Sequence, residues 1–211
     1  MFKIHRPDPN YVTSERSKNN FKLALKATAV FVGVLWAIHM VNWGLDYSLN
    51  RFGIWPRNAS GMVGVVAAPL LHSGFAHLFK NSLPLLVLGT GMLFVYPNAS
   101  ARALPAIYVG TGLLVWLFGR GNIHIGASGL IYGMLAFVFF SGIVKRDARG
   151  VALSMLVFFL YGSMTWGIFP QGNSVSWESH LAGAVVGTVL ALRFKAWDIP
   201  PRKRYDWEDD E

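Results

Sequence analysis

Three groups of polar residues stand beside long apolar stretches, and their types are those that nucleophilic catalysis uses. Ser128 lies in the run Gly126 to Gly129, and His180 stands at the start of a later apolar stretch. A serine hydroxyl becomes an effective nucleophile when a neutral imidazole accepts its proton. His77 and Asn81 are four residues apart, which puts both on one face of a helix. Whether these groups can act together depends on the elements that carry them.

The composition excludes an ordinary soluble domain. Of the 211 residues, 53% are hydrophobic and 14% are charged, and this charged share is about half of that in a typical soluble domain. The many aromatic residues exclude a disordered chain, which is polar and poor in aromatics. Cysteine is absent, which excludes disulfide frameworks and thiolate chemistry. These proportions indicate a membrane protein.

Six apolar spans without charged residues divide the chain. They comprise residues 27–45, 82–96, 103–119, 121–144, 151–169 and 179–192. A bilayer core needs roughly 20 helical residues, so the first, fourth and fifth stretches are long enough and the third is close. The second and sixth are short, as for helices that tilt or begin inside the protein beside a water cavity. A polar tail precedes the first stretch, which lacks a small-residue cleavage site, so we expect a retained span.

The basic residues predict the topology. With the N-terminus in the cytoplasm and six alternating spans, 15 of the 19 Lys and Arg residues lie on the cytoplasmic side. The positive-inside rule favours this orientation, with both termini cytoplasmic. The net charge of +8 therefore reports topology, and we expect no nucleic-acid partner.

These spans predict an all-α fold, a polytopic bundle of six transmembrane helices. We expect a cytoplasmic N-terminal tail over residues 1–22, a membrane domain over 23–195 and a cytoplasmic C-terminal tail over 196–211. The long outer connection, residues 46–76, contains Trp55-Pro56 and several glycines, and it is too broken for a seventh span. We expect it to lie partly in the membrane interface.

Ser128 and His180 are predicted at the same depth. The next basic residue after Ser128 is Lys145, and the next one after His180 is Arg193. From the rise of an α-helix, these two separations correspond to about 25 and 20 Å. In a core about 30 Å thick, both side chains then lie roughly 5–10 Å below the outer boundary.

Two pairs of glycines indicate which helices meet. Gly129 and Gly133 form one small face on the fourth span, and Gly183 and Gly187 form another on the sixth. Such faces allow helix backbones to approach closely in lipid. Packing through them would bring the serine and the histidine together.

Each feature alone has a plainer interpretation. A serine in a glycine-rich helix can serve packing only, and a histidine at the end of a span can be an interfacial hydrogen-bonding group. A metal site is disfavoured because His72 and His77 lie about 140° apart around a helix. Neither cysteine nor a carboxylate lies within any span. We expect neither a metal nor a cofactor.

The motifs taken together resemble those of the rhomboid family of intramembrane serine proteases. The matching segments are residues 72–81 on the second span, 126–129 on the fourth and 180–187 on the sixth. This resemblance implies that Ser128 is the nucleophile and His180 the general base and then acid. It also implies that His77 and Asn81 donate hydrogen bonds to the oxyanion, together with the backbone N–H of Ser128.

The resemblance also implies supporting roles. Tyr132 would pack against the His180 ring, while Gly126 and Gly129 would let the loop and the helices come close. The chain departs from the family in its first outer loop. A Trp-Arg pair about eight residues before the first histidine is common there, whereas this chain has Val63-Gly64 at that place and Trp55-Pro56-Arg57 further upstream.

The implied activity is hydrolysis of peptide bonds in or near transmembrane segments of membrane proteins, which would be the substrates beside membrane lipids. We expect a multi-pass protein of a bacterial inner membrane, with its active site open to the extracytoplasmic side. Water reaching Ser128 would account for the short second and sixth spans. Two alternatives are a non-proteolytic member of the same fold that binds membrane proteins, and an unrelated six-span transporter. The first is disfavoured by retention of both Ser128 and His180, and the second by the lack of a repeat or a continuous polar track.

The sequence leaves open the roles of one segment and one residue near the site. Residues 170–179 could form a mobile outer lid or an ordinary hydrophilic connection. Glu178, two residues before His180, is the nearest candidate for a third member of a triad. Because none of the 11 acidic residues lies within a span, the sequence favours a Ser–His dyad. His180 would then be held by packing, on Tyr132.

Overall fold

The structure, a computed structural model, describes residues 15–160, 167–170 and 176–199. All regular elements in these ranges are helical, as expected. The longer helices are α1 (Glu15–Gly44), α2 (Phe75–Val95), α3 (Pro97–Phe118), α4 (Ser128–Lys145), α5 (Ala148–Leu160) and α6 (Trp177–Arg193). Helices α1 to α4 are each long and apolar enough to cross a membrane. The chain is thus an integral, multi-pass membrane protein.

The lengths of the helices correct one expectation and agree with another. Helix α2 has 21 residues, so the interpretation of the second span as short is wrong. The predicted stretch began after Lys80, because that residue is charged, but Lys80 lies within the helix. The helix begins at Phe75 and therefore extends almost two turns beyond the outer end of the predicted stretch. Helix α6 is short, with 17 residues. The predicted fifth stretch continues into residues 161–166, which lie outside the described residues.

The long outer connection consists of short helical turns, in agreement with the sequence. They are Ser48–Phe52, Ala59–Val63, Gly64–Ala67 and Ala68–Leu70. Ile54 forms an isolated antiparallel bridge with His124, with N–H to carbonyl distances of 2.9 Å in both directions. This bridge joins the connection to the loop that precedes α4.

Arg57 anchors the outer connection to the end of α3. Its guanidinium donates to the carbonyl oxygens of Leu117 at 3.2 Å and Gly119 at 2.9 Å. Its backbone N–H donates to the carbonyl of Trp116 at 2.8 Å, and the indole N–H of Trp116 donates back to the carbonyl of Asn58 at 2.9 Å. The loop is therefore anchored through Arg57, although this chain has Trp55-Pro56-Arg57 in place of a Trp-Arg pair.

Helix α4 is the centre of the bundle. Eleven of its 18 residues are buried, because other helices surround it. Burial of apolar side chains on several helices around it stabilises this arrangement. Members of the core that it shares with α2 and α3 include Leu85, Leu88, Met92, Ile107, Ile131 and Phe137.

Helices α4 and α6 contact each other through their glycines, which confirms the packing predicted from the sequence. A Cβ atom added to Gly183 would overlap the carbonyl oxygen of Gly129, and one added to Gly187 would overlap that of Gly133. A Cβ on Gly129 would lie 2.9 Å from the carbonyl oxygen of Ser179. The two backbones therefore approach so closely that only glycine fits at these positions.

Two carboxylates hold segments together at the end of the bundle where α4 ends, which carries many basic residues. Asp198, beyond α6, accepts hydrogen bonds from the backbone N–H groups of Asn98 at 3.2 Å and Ala99 at 2.8 Å, and so caps α3. Asp147 is 3% exposed, and it accepts from Arg149 Nε at 2.8 Å and Nη2 at 3.0 Å. This second pair fixes the turn between α4 and α5.

Candidate active site

Ser128 and His180 form a direct hydrogen bond. Ser128 is the first residue of α4, and His180 lies in the first turn of α6. The distance between Ser128 Oγ and His180 Nε2 is 2.8 Å. The glycine contact between the two helices brings these side chains to one level, as the depth argument predicted.

The second nitrogen of the His180 ring determines the tautomer. His180 Nδ1 lies 2.8 Å from the carbonyl oxygen of Gly167. A carbonyl can only accept, so Nδ1 carries the proton and donates it. In the neutral ring Nε2 is then unprotonated and accepts the hydroxyl proton of Ser128. This is the form of imidazole that a general base requires.

Gly167 was missed by the sequence interpretation. Its contribution is a backbone carbonyl, which no side-chain pattern can reveal. Its small size is also needed, because an added Cβ would overlap the Tyr132 hydroxyl and lie 2.9 Å from His180 Nδ1. The sequence shows only that a glycine stands 13 residues before His180, which does not reveal this role.

Tyr132 stacks on the imidazole of His180. The ring centroids are 4.2 Å apart and the planes are 8° from parallel. Tyr132 lies one turn after Ser128 on α4 and is buried. The phenol ring covers one face of the imidazole and therefore limits its rotation. The Gly167 carbonyl fixes the orientation of the imidazole within its own plane.

Gly126 brings the loop before Ser128 against α2. Its φ is +110°, a backbone conformation in which a side chain is strained. An added Cβ would lie 2.7 and 2.8 Å from Cε1 and Nε2 of His77 and 3.9 Å from Nδ2 of Asn81. Its N–H donates to the carbonyl of Ala68 at 2.8 Å. His77 and Asn81 thus lie beside the loop that leads into the serine.

Asn81 carries an unused hydrogen-bond donor. The residue is 5% exposed, and its Nδ2 has no hydrogen-bond partner within the part of the chain that the structure describes. A buried donor without a partner is unfavourable, and such groups are often kept for binding or catalysis. His77 is engaged on its other side, where Nδ1 lies 3.1 Å from Ser73 Oγ.

His72 precedes α2 in the chain, outside the spanning helices, and its ring packs against that of His77. The ring centroids of these two residues are 5.1 Å apart, and that of His39 on α1 is 6.4 Å from His72. Burial, with smaller contributions from His77 and His39, lowers the pKa of His72 to about 3. Across the described ranges, no three His, Asp or Glu side chains converge in a geometry that could hold a metal ion.

The structure contradicts Glu178 as a third member of a triad. Its carboxylate binds the guanidinium of Arg120, through Nε to Oε1 and through Nη2 to Oε2 at 3.3 Å. The Nδ1 position of His180, where a triad carboxylate would bind, is occupied by the Gly167 carbonyl. Of residues 170–179, for which a lid and an ordinary connection were both considered, residues 171–175 lie outside the described residues.

Known proteins resemble this chain over most of its length. A family model described as "Rhomboid domain" matches residues 59–196. An uncharacterized protein of Mycobacterium tuberculosis and one of Mycobacterium bovis are each 37% identical over an alignment of 182 positions, gaps included, that covers 82% of this chain and 75% of theirs. An uncharacterized protein of Mycobacterium leprae is 30% identical over an alignment of 218 positions, gaps included, that covers 93% of this chain and 82% of its own. The family match spans more than half of the chain and confirms the resemblance seen in its motifs: the protein belongs to the rhomboid family.

Proposed function

We propose that the protein is an intramembrane serine endopeptidase with a Ser128–His180 dyad. The observation that carries this proposal is the hydrogen bond of 2.8 Å between Ser128 Oγ and His180 Nε2, in a ring whose Nδ1–H donates to the Gly167 carbonyl. Membership of the rhomboid family, which generally consists of intramembrane serine proteases, supports the same activity. The substrates would be transmembrane proteins.

In the first half of the reaction, Ser128 Oγ attacks the carbonyl carbon of the scissile peptide bond. His180 Nε2 accepts the hydroxyl proton as the C–O bond forms. The imidazolium then gives this proton to the leaving amine, the C–N bond breaks, and an acyl-enzyme remains on Ser128. The backbone carbonyl of Gly167 and the ring of Tyr132 keep the imidazole oriented throughout.

In the second half, a water molecule attacks the acyl-enzyme. His180 Nε2 takes a proton from the water and returns it to Ser128 Oγ when the ester bond breaks. The products are two peptides with a new carboxylate and a new amine. The end of the α4–α6 contact that carries the dyad lies opposite to the basic cytoplasmic loops, so water would enter from outside the cell.

The oxyanion of the tetrahedral intermediate needs hydrogen-bond donors that are already in place. Asn81 Nδ2 is a buried donor with no partner among the described residues, and His77 Nε2 lies beside Gly126. The N–H of Ser128 belongs to the first turn of α4, where backbone N–H groups have no partner within the helix. Preorganised donors of this kind are commonly the largest single contribution to such catalysis.

We also propose a topology for the chain and the membrane in which it lies. Six spans with both termini in the cytoplasm place most of the basic residues inside. The mycobacterial relatives favour a bacterial cell membrane. A substrate helix must unwind locally to present its carbonyl, so we expect cleavage near small or helix-weakening residues.

The test combines a cleavage assay with active-site labelling. The protein is co-expressed with a single-pass reporter, and purified protein is treated with a fluorophosphonate probe. Ser128→Ala and His180→Ala should abolish both cleavage and labelling. Ser141→Ala is the matched control, because Ser141 is a fully buried serine on the same helix, near the end opposite to Ser128.

Two outcomes would overturn the proposal. Cleavage that is unchanged by Ser128→Ala would remove the serine from the mechanism. An intact protein that captures the reporter without cleaving it and takes up no probe would instead be the non-proteolytic binding protein.

A further inference from the structure

An ion pair joins the loop before the serine to the helix that carries the histidine. Arg120 lies in the connection between α3 and α4, and Glu178 is the second residue of α6. The guanidinium binds both carboxylate oxygens, and the backbone N–H of Arg120 also donates to Glu178 Oε1 at 3.3 Å. The Glu178 side chain is 9% exposed. The contact is bidentate and its carboxylate is mostly buried, although the Arg120 side chain is 32% exposed. It therefore differs from fully exposed pairs, which contribute little.

A second chain of hydrogen bonds joins the same two segments. The Arg120 carbonyl accepts from His124 Nε2 at 3.1 Å, so His124 Nδ1 is the acceptor for the Ser176 hydroxyl at 2.6 Å. Ser176 Oγ lies 2.6 Å from Ser179 Oγ. The Ser176 carbonyl accepts from the backbone N–H of Ser179 at 3.1 Å. Arg120 is thus connected to the first turn of α6 by its side chain and by its backbone.

The ion pair and these hydrogen bonds hold α4 and α6 together at the end of their interface where the dyad lies. The glycines hold the two helices together from Gly129 inward, but Ser128 precedes this contact and His180 lies at its edge. Arg120 and His124 stand on the loop that leads directly into Ser128. Their partners stand within four residues of His180. The network therefore determines how far apart the serine and the histidine sit at the mouth of the site.

We propose that Arg120 and Glu178 are positioning residues for the dyad, an inference that rests on the proposed function. Glu178 acts through the first turn of α6, since its carboxylate binds Arg120 and the His180 ring is held by other groups. Loss of Arg120 removes the cationic partner of a carboxylate that is 9% exposed, and loss of Glu178 removes the carboxylate that ties the Arg120 loop to α6. In either case the loop or the helix end is free to shift. A displacement of about 1 Å at a reacting group can lower a rate by about 100-fold.

The test compares Glu178→Gln, Arg120→Gln and the double variant in proteoliposomes with the single-pass reporter. Asp147→Asn is the matched control, because Asp147 forms a bidentate, buried pair with Arg149 at the other end of α4. The readouts are kcat, KM, the rate of fluorophosphonate labelling of Ser128, and the apparent Tm of each variant.

We expect each single variant to lower kcat and the labelling rate by about 10- to 100-fold, with KM changed less than about threefold. The double variant should lose no more than the worse single variant, because the two residues act as a unit. Arg120→Lys keeps the charge and should recover part of the rate. Asp147→Asn should lower Tm to a similar extent while the labelling rate stays at the wild-type value.

The inference is overturned if Glu178→Gln and Arg120→Gln label as fast as the wild type, or if their losses follow Tm as that of Asp147→Asn does. Strictly additive losses in the double variant would also contradict it. These outcomes are distinct from failure of the proposed function, in which the wild type itself neither cleaves the reporter nor takes up the probe.

Discussion

The imidazole of His180 lies flat on the phenol ring of Tyr132, with ring centroids 4.2 Å apart and planes 8° from parallel. In soluble serine proteases an aspartate holds the base and stabilises its charged form. Here the ring is held by an aromatic face and by the backbone carbonyl of Gly167. Both partners are uncharged, so the site needs no buried carboxylate within the membrane.

This arrangement makes Gly167 sensitive to substitution. Gly167→Ala keeps the carbonyl but adds a methyl group that would overlap the Tyr132 hydroxyl and lie 2.9 Å from His180 Nδ1. We expect kcat to fall by about 10- to 100-fold as the imidazole is displaced, measured with the reporter in proteoliposomes. Gly121→Ala is the control, because nothing lies within 4 Å of its added Cβ. Equal activities of the two variants would exclude a role for the contact at Gly167.

Asn81 should contribute to the rate far more than to stability. Removal of one oxyanion donor commonly lowers kcat by about 100- to 1000-fold, and we expect a decrease of this size for Asn81→Ala. Its Nδ2 has no partner within the described ranges, so little folding energy is lost with it. The apparent Tm should change by no more than about 4 °C. A normal kcat, or a large fall in Tm with kcat per folded molecule unchanged, would contradict the proposed role.

The glycine contact between α4 and α6 should be intolerant of a single methyl group. A Cβ on Gly183 overlaps the carbonyl oxygen of Gly129, which is backbone and cannot turn away. We expect Gly183→Ala to lower the free energy of unfolding by about 1–3 kcal/mol or more and to slow the labelling of Ser128. Gly33→Ala on α1 meets nothing within 4 Å and should be neutral or stabilising by up to about 1 kcal/mol. Apparent Tm values and labelling rates measure both effects.

His72 should make the folded state sensitive to acid. Its pKa is lowered to about 3 in the folded protein from the ordinary value of 6.5. Above pH 6.5 the ring is neutral in both states, whereas between pH 6.5 and 3 the unfolded chain binds a proton that the folded chain does not. Stability is therefore lost as the pH falls through this interval.

The measurement for His72 is the apparent Tm at pH 7 and at pH 4.5. The fall in Tm should be smaller for His72→Gln, which cannot titrate, than for the wild type. Because each protein is its own reference, a general destabilisation by the substitution does not affect the comparison. Equal falls in the two proteins would show that the His72 ring takes up its proton in the folded state as readily as in the unfolded one.

The sequence predicted those parts of the molecule that depend on side-chain type and spacing. The periodic glycines predicted the contact between α4 and α6, and apolar length predicted helices of a membrane protein. The position of charges relative to the spans gave the common depth of Ser128 and His180, which the structure brings within 2.8 Å of each other. Each of these inferences uses the fixed rise of a helix, and this geometry does not change with context.

The features that sequence reasoning missed depend on backbone groups or on distant pairing. The Gly167 carbonyl leaves no trace in residue type. The length of α2 was underestimated because Lys80 was taken as a boundary, although a lysine near the end of a span can extend its amine toward the interface. The partner of Glu178 is Arg120, 58 residues away, and no periodicity links the two. The anchoring of the outer connection by Arg57 likewise depends on carbonyl groups at the end of α3.

The contact of glycine against backbone has a mechanical consequence. Where Gly183 and Gly187 meet the carbonyl groups of α4, no side chains lie between the two helices that could change rotamer and absorb a sliding movement. From Gly129 inward, α4 and α6 therefore move as one rigid body, while the Arg120–Glu178 pair holds the ends that carry Ser128 and His180. A gap wide enough for another helix has to open along a different seam of the bundle, one lined by side chains that can rearrange.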